Sequence, residues 1–100
     1  MFAIRRDIVA AQNKYRIPAV MGSIGYAEMG GLAKLGPDIP ALWRKMAPTI
    51  DQLLKGAAKP ADLPLVTVDG FELEINVAAA QSLGLTVPEA VRRKAVRLYQ

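Results

Sequence analysis

Between Phe2 and Tyr15 the apolar residues Phe2, Ile4, Ile8, Val9 and Ala11 recur at helical spacing, with Arg5, Arg6, Asp7, Gln12 and Asn13 between them. That periodicity predicts an amphipathic helix. Ile17-Pro18-Ala19-Val20-Met21 is a short apolar run closed by Gly22, which predicts a buried strand whose start Pro18 confines to an edge or entry position. Helix followed by strand is half of a βαβ unit, so the pattern reads as a piece of a larger architecture. Gly22 to Gly31 holds four glycines and predicts a strand-end loop with about one helical turn, after which Leu32-Ala33-Lys34-Leu35-Gly36 offers a second short strand. Asp38 is placed to cap a long helix, Pro40 sits in its first turn, and Ile39, Leu42, Met46, Ile50, Leu53 and Leu54 form a stripe ending at Gly56. Pro48 lies inside that stripe and predicts a kink, because it removes a backbone donor and crowds the carbonyl of Arg44.

The connector from Ala57 to Pro64 carries two prolines that bias Lys59 and Leu63 toward extended backbone, and it is the expected boundary, dividing the chain into 1–62 and 63–100. Beyond it, Phe71 to Val77 alternates with period two, placing Phe71, Leu73, Ile75 and Val77 on one strand face and Glu72, Glu74 and Asn76 on the other. Asn76 can cap a short helix through Ala78, Ala79, Ala80 and Leu83, with Gly84 as its left-handed stop. Thr86 and Glu89 frame a capping box around Pro88, predicting a last helix with Val87, Val91, Lys94 and Leu98 on one stripe.

Composition narrows this to α/β. Apolar residues make up 52% of the 100 positions with few aromatics, which suits helices laid on a sheet and one small core. The net charge of +4 is concentrated at the end of the chain, where Arg92, Arg93, Lys94 and Arg97 face only Glu89. Without interleaved aromatics before Tyr99, that run reads as a solvated face, and no nucleic-acid partner is expected. Cysteine and histidine are both absent, which removes disulfides, thiolate chemistry, the commonest general base and the commonest transition-metal ligand. No cofactor, metal or catalytic residue is expected, and no apolar run has the length of a membrane span or a signal-peptide core.

Each candidate for chemistry has a structural alternative beside it. Glu72 and Glu74, about 7 Å apart on one strand face, could serve as paired carboxylates, against the simpler role of a solvent-facing strand edge. Gly22-Ser23-Ile24-Gly25 has the spacing of a backbone-clamping G-x-x-G loop but follows a strand and carries no base. Loops at the carboxyl ends of strands line ligand crevices in open α/β sheets, and there Ser23, Tyr26 and Glu28 offer a hydroxyl, an aromatic face and a charge; a plain turn is the alternative. Asp38 could hold a ligand amine or cap its helix. Trp43, beside the apolar stripe, is expected to pack on a neighbour outside the chain.

Read in order, Phe2-Ala3, Arg5-Arg6, Ile8-Val9-Ala10, Arg16-Ile17-Pro18-Ala19, Gly30-Gly31-Leu32 and Gly36-Pro37-Asp38 resemble the substrate-binding proteins of ABC transporters. Leu54-Lys55-Gly56, Lys59 to Pro64, Phe71-Glu72-Leu73, Ile75-Asn76 and Leu83-Gly84-Leu85-Thr86 with Pro88 resemble the closing segment of that family in the same succession. The resemblance implies part of a periplasmic-binding-protein-like lobe, a parallel sheet flanked by helices that is incomplete without its amino-terminal portion or a partner. Residues 1–62 would end the second lobe, and 63–100 would supply a closing strand and helices returning toward the first. It also implies capture of a small ligand such as an amino acid, often an aromatic one, between two lobes, and delivery to a membrane permease from the periplasm or another extracytoplasmic space, without turnover. Carried over by position, the ligand-binding residues would be Ser23, Tyr26, Glu28 and Asp38. Leu35, where the family often has an aromatic residue, and Pro48 depart from the pattern. The competing expectation is an interaction module that forms a homo-oligomer through an exposed sheet edge and binds no ligand.

Overall fold

The first apolar stripe folds as its spacing predicts. In the computed structural model, which describes residues 2–100, a 3-10 turn at Phe2–Ile4 leads into α1, Arg5–Tyr15. The Phe2 side chain, the first position of the stripe, lies outside the described residues. Arg16 closes α1 in the left-handed conformation, and the N–H groups of Arg16 and Ile17 both donate to the Gln12 carbonyl, satisfying the helix end. The expected strand after it shrinks to β1, Val20–Met21. β2 follows at Ala33–Pro37, one residue later than the apolar run suggests.

α2 spans Ile39–Leu54, capped by Asp38, whose carboxylate accepts from the Ala41 N–H at 3.0 Å. The helix continues across Pro48 and stops at Gly56, which takes a positive φ of 67°. A 3-10 turn at Pro60–Asp62 occupies the proline connector. β3 is Phe71–Asn76, and Asn76 then caps α3, Val77–Ser82, by accepting from the Ala79 N–H at 2.9 Å, with Gly84 beyond it at φ 75°.

The expected last helix is corrected by the structure. Only the turn α4, Glu89–Arg92, is helical, and Ala95–Tyr99 forms strand β4. The capping box does not form: Pro88 occupies the cap position without a side-chain bond, and Glu89 instead pairs with Arg93 at 3.2 Å. Val96 and Tyr99 favour extended backbone, and β3 offers an unpaired edge that a helix could not satisfy.

The four strands form one sheet in the order β1-β2-β3-β4. Both outer pairs are parallel: Val20 faces Ala33 across β1 and β2, while Ile75 faces Leu98 and Asn76 faces Tyr99 across β3 and β4. A register irregularity lies between Leu73 and Glu74. Between β2 and β3 the positions run in opposite senses, with the Asn76 N–H donating to the Leu32 carbonyl and Lys34 beside Glu72 and Glu74, so the sheet is mixed.

The chain forms two compact units, one of Met1–Gly36 with Glu72–Gln100 and the other of Pro37–Phe71. A single cut at 62/63 does not describe them, because the chain leaves the first unit after Gly36 and returns at Glu72. The buried apolar residues Val9, Tyr26, Ala27, Ala33, Ile75, Ala79 and Ala80 all belong to the first unit. In the second, no residue of α2 is buried and Trp43 is 63% exposed. Lys45 ties that unit's loop to its helix, donating to the Thr67 carbonyl at 2.8 Å and pairing with Asp69 at 2.6 Å.

Candidate ligand-binding site

Within the first unit the two faces of the β2–β3 pair differ in kind. Alternation puts Lys34 and Gly36 with Glu72, Glu74 and Asn76 on one face, and Ala33 and Leu35 with Leu73 and Ile75 on the other. The polar face is the better packed. Lys34 is 3% exposed and its ammonium lies 3.8 Å from both Glu72 and Glu74, so the two carboxylates flank a buried cation and are not the solvent-facing edge expected from their spacing. On β4, Arg97 is held further above its ordinary value, first by its contact with the Tyr99 hydroxyl and then by Tyr99, Glu74 and Glu28 through charge.

Gln12 organises the glycine-rich loop above this face. Its side-chain oxygen accepts from the Tyr26 hydroxyl at 3.2 Å and from the Leu32 N–H at 3.0 Å, and its amide nitrogen donates to the Gly30 carbonyl at 3.2 Å. Asn76 fastens the same loop from the sheet, donating to the Ala27 carbonyl at 2.8 Å. Arg5 reaches the Ile24 carbonyl from α1. The loop is thereby hydrogen-bonded to a helix and a strand, although it has no regular secondary structure of its own.

The four residues expected to bind ligand are placed differently from one another. Tyr26 is fully buried, with its hydroxyl on Gln12, and it packs the core with no surface left for a ligand in this chain. Burial pushes its phenol above the ordinary range. Ser23 is also buried, and its carbonyl accepts the Tyr26 N–H at 3.3 Å. Glu28 stays exposed. Asp38 lies in the second unit and uses its carboxylate as the α2 cap. Among the described residues no group of three or more metal-ligating side chains occurs, and no helix is long and apolar enough to cross a membrane.

Open volume is found elsewhere among the described residues of the first unit. At the carboxyl ends of the parallel strands β3 and β4, Val77, Ala78, Gln81, Arg92 and Gln100 line a cavity of about 230 Å³. A neighbour of about 150 Å³ shares Val77, Gln81 and Arg92 and extends toward Ala80, Leu85 and Val87. Sequence reasoning absorbed Arg92 into a basic run and gave Gln81 no role; the signal available was that Gln81 follows β3 at the sheet end where α/β folds bind ligands, while Arg92 reaches the cavity from α4, which precedes β4. Separately, the apolar face of the sheet forms an open groove of about 410 Å³ lined by residues such as Val20, Leu35, Leu73, Ile75, Leu85 and Val91.

Comparison with known proteins agrees with this architecture. Among curated proteins none matches the chain. The crystal structure of a conserved domain protein from Vibrio cholerae is 30% identical with a TM-score of 0.87, over 96% of this chain and 32% of that one. An ABC domain in complex with L-Trp from Streptococcus pneumonia is 34% identical with a TM-score of 0.77, over 91% of this chain and 31% of that one. The chain thus spans about a third of the length of these solved structures. The family model for ABC transporter substrate binding proteins matches residues 2–98, and the chain belongs to that family.

Proposed function

We propose that this chain serves the capture of a small ligand of the amino-acid class in an extracytoplasmic or periplasmic space, for delivery to the membrane permease of an ABC transporter. The observation that carries the reading is the likeness, over 91% of the chain at 34% identity, to an ABC domain in complex with L-Trp. The physical features are consistent with binding and release. Polar cavities open at the carboxyl ends of parallel strands, while the titratable groups of the sheet are engaged with one another and not arranged as a nucleophile and base. These features support binding without turnover as the role. Native mass spectrometry of the chain with a panel of amino acids tests it: a saturable one-to-one adduct is expected, and absence of any adduct at millimolar ligand overturns the reading for this chain.

A second reading is favoured by one observation, the open apolar groove of about 410 Å³ with Val20 59% and Leu35 52% exposed. On that reading the chain is an interaction module whose sheet face is covered by a second copy. Its expected signature in the same experiment is a dimer without ligand, and a monomer at micromolar concentration removes it.

A further inference from the structure

We propose that Arg92, with the side-chain amides of Gln81 and Gln100, forms a subsite for the carboxylate group of a small ligand, whose apolar portion enters the adjoining cavity beside Ala80, Leu85 and Val87. The polar cavity is about 230 Å³ and its neighbour about 150 Å³, and Val77, Gln81 and Arg92 line both. Each is smaller than the roughly 300 to 1,000 Å³ typical of a drug-sized ligand, so the pair suits a small metabolite with a charged head and a short apolar tail.

Among the described residues Arg92 makes no ion pair and no side-chain hydrogen bond, whereas the adjacent Arg93 is paired with Glu89 at 3.2 Å. Arg92 is nonetheless the half-buried member of the basic run, and Arg93 and Lys94 are exposed. A planar guanidinium presents two parallel N–H donors that match the two oxygens of a carboxylate, and primary amides add neutral donors at no charge cost. The position follows from the fold: Val77 and Gln100 come directly after β3 and β4, so the cavity sits at the carboxyl ends of two parallel neighbours.

The subsite deepens the capture reading and rests on it, but its test reads the carboxylate contact alone. The 15N-labelled chain would be titrated with sodium isovalerate at constant ionic strength, following the Arg92 Nε–H signal and the backbone amides of Val77, Ala78 and Gln81. Saturable shifts confined to those groups are expected. Isovaleramide, with the same shape and no charge, should produce less than a tenth of the affinity, and Arg92→Gln should weaken isovalerate at least tenfold with amide dispersion unchanged. Gln81→Leu, expected to weaken it severalfold, serves if the first variant does not fold. Shifts that are unsaturable, equal with isovaleramide, or unchanged in Arg92→Gln overturn the proposal, as would tighter binding of inorganic phosphate at the same amides. An amino-acid panel bound equally by the wild type and Arg92→Gln sinks the subsite and leaves the capture reading standing; isovalerate saturating at Arg92 with no panel member bound does the reverse.

Discussion

Gln12 shows how a single polar side chain can hold a loop. Gln12 is 2% exposed, yet every polar atom it buries has a partner in Tyr26, Gly30 or Leu32. Gln12→Leu keeps the volume and strands the Tyr26 hydroxyl and the Leu32 N–H, so a loss of about 2 to 4 kcal/mol is expected in urea unfolding. Gly31 is required for a different reason: a Cβ there would overlap the Tyr26 ring, and Gly31→Ala should cost about 1 to 3 kcal/mol because the buried ring has nowhere to move. The Tyr26 phenol also sets a pH dependence. Burial raises its folded pKa above the unfolded value of about 10, so its contribution is intact below about pH 10 and is lost as pH rises through the folded pKa. Thermal unfolding above pH 10 should fall more steeply for the wild type than for Tyr26→Phe, since Tyr15 and Tyr99 are common to both.

At the level of elements, the β2–β3 pair carries its charges inward and its apolar side chains toward the open groove. Lys34 is expected to resist replacement and truncation alike, because either change leaves Glu72 and Glu74 side by side without their shared counter-charge. Lys34→Met keeps the volume, whereas Lys34→Ala opens a cavity in addition. About 1 to 3 kcal/mol of loss is expected for the alanine variant, reduced from the cost of a fully buried pair because Glu72 is partly solvated. Unfolding curves of the two variants separate the terms: the excess loss in alanine reports the cavity, and a methionine variant as stable as the wild type would mean that the ion pairs do not stabilise the sheet. β4 makes a separate prediction: backbone chemical shifts over Ala95–Tyr99 should be extended and its ladder amides slow to exchange, in place of the helical shifts that its apolar spacing suggests.

For the whole chain, each unit leaves apolar surface exposed among the described residues, the groove in the first and the stripe of α2 in the second, where Leu54 is 83% exposed. Apolar surface of this kind favours association with further protein. Leu73→Lys, which places a charge in the groove, should shift any dimer seen by native mass spectrometry or light scattering toward monomer, and an unchanged stoichiometry would locate the contact elsewhere.

The sequence by itself determined the α/β class, α1, α2 and α3, the Asp38 and Asn76 caps and the Gly56 and Gly84 stops, because each rests on contacts within a few residues of the chain. The succession of its motifs also carried the family. What only the tertiary structure decided are the matters that depend on distant partners. The stretch from Ala95 to Tyr99 became a strand because β3 presented an edge to pair with, a fact no local period contains. Which face of Phe71–Asn76 is packed depended on Lys34 and on the loop held by Gln12, residues roughly 40 and 60 positions away, so the alternation was legible and its polarity was not. The same holds for the candidate site. Tyr26 looked available until the hydroxyl found Gln12, and Arg92 looked like one of several solvated cations until the ends of β3 and β4 drew a cavity around it.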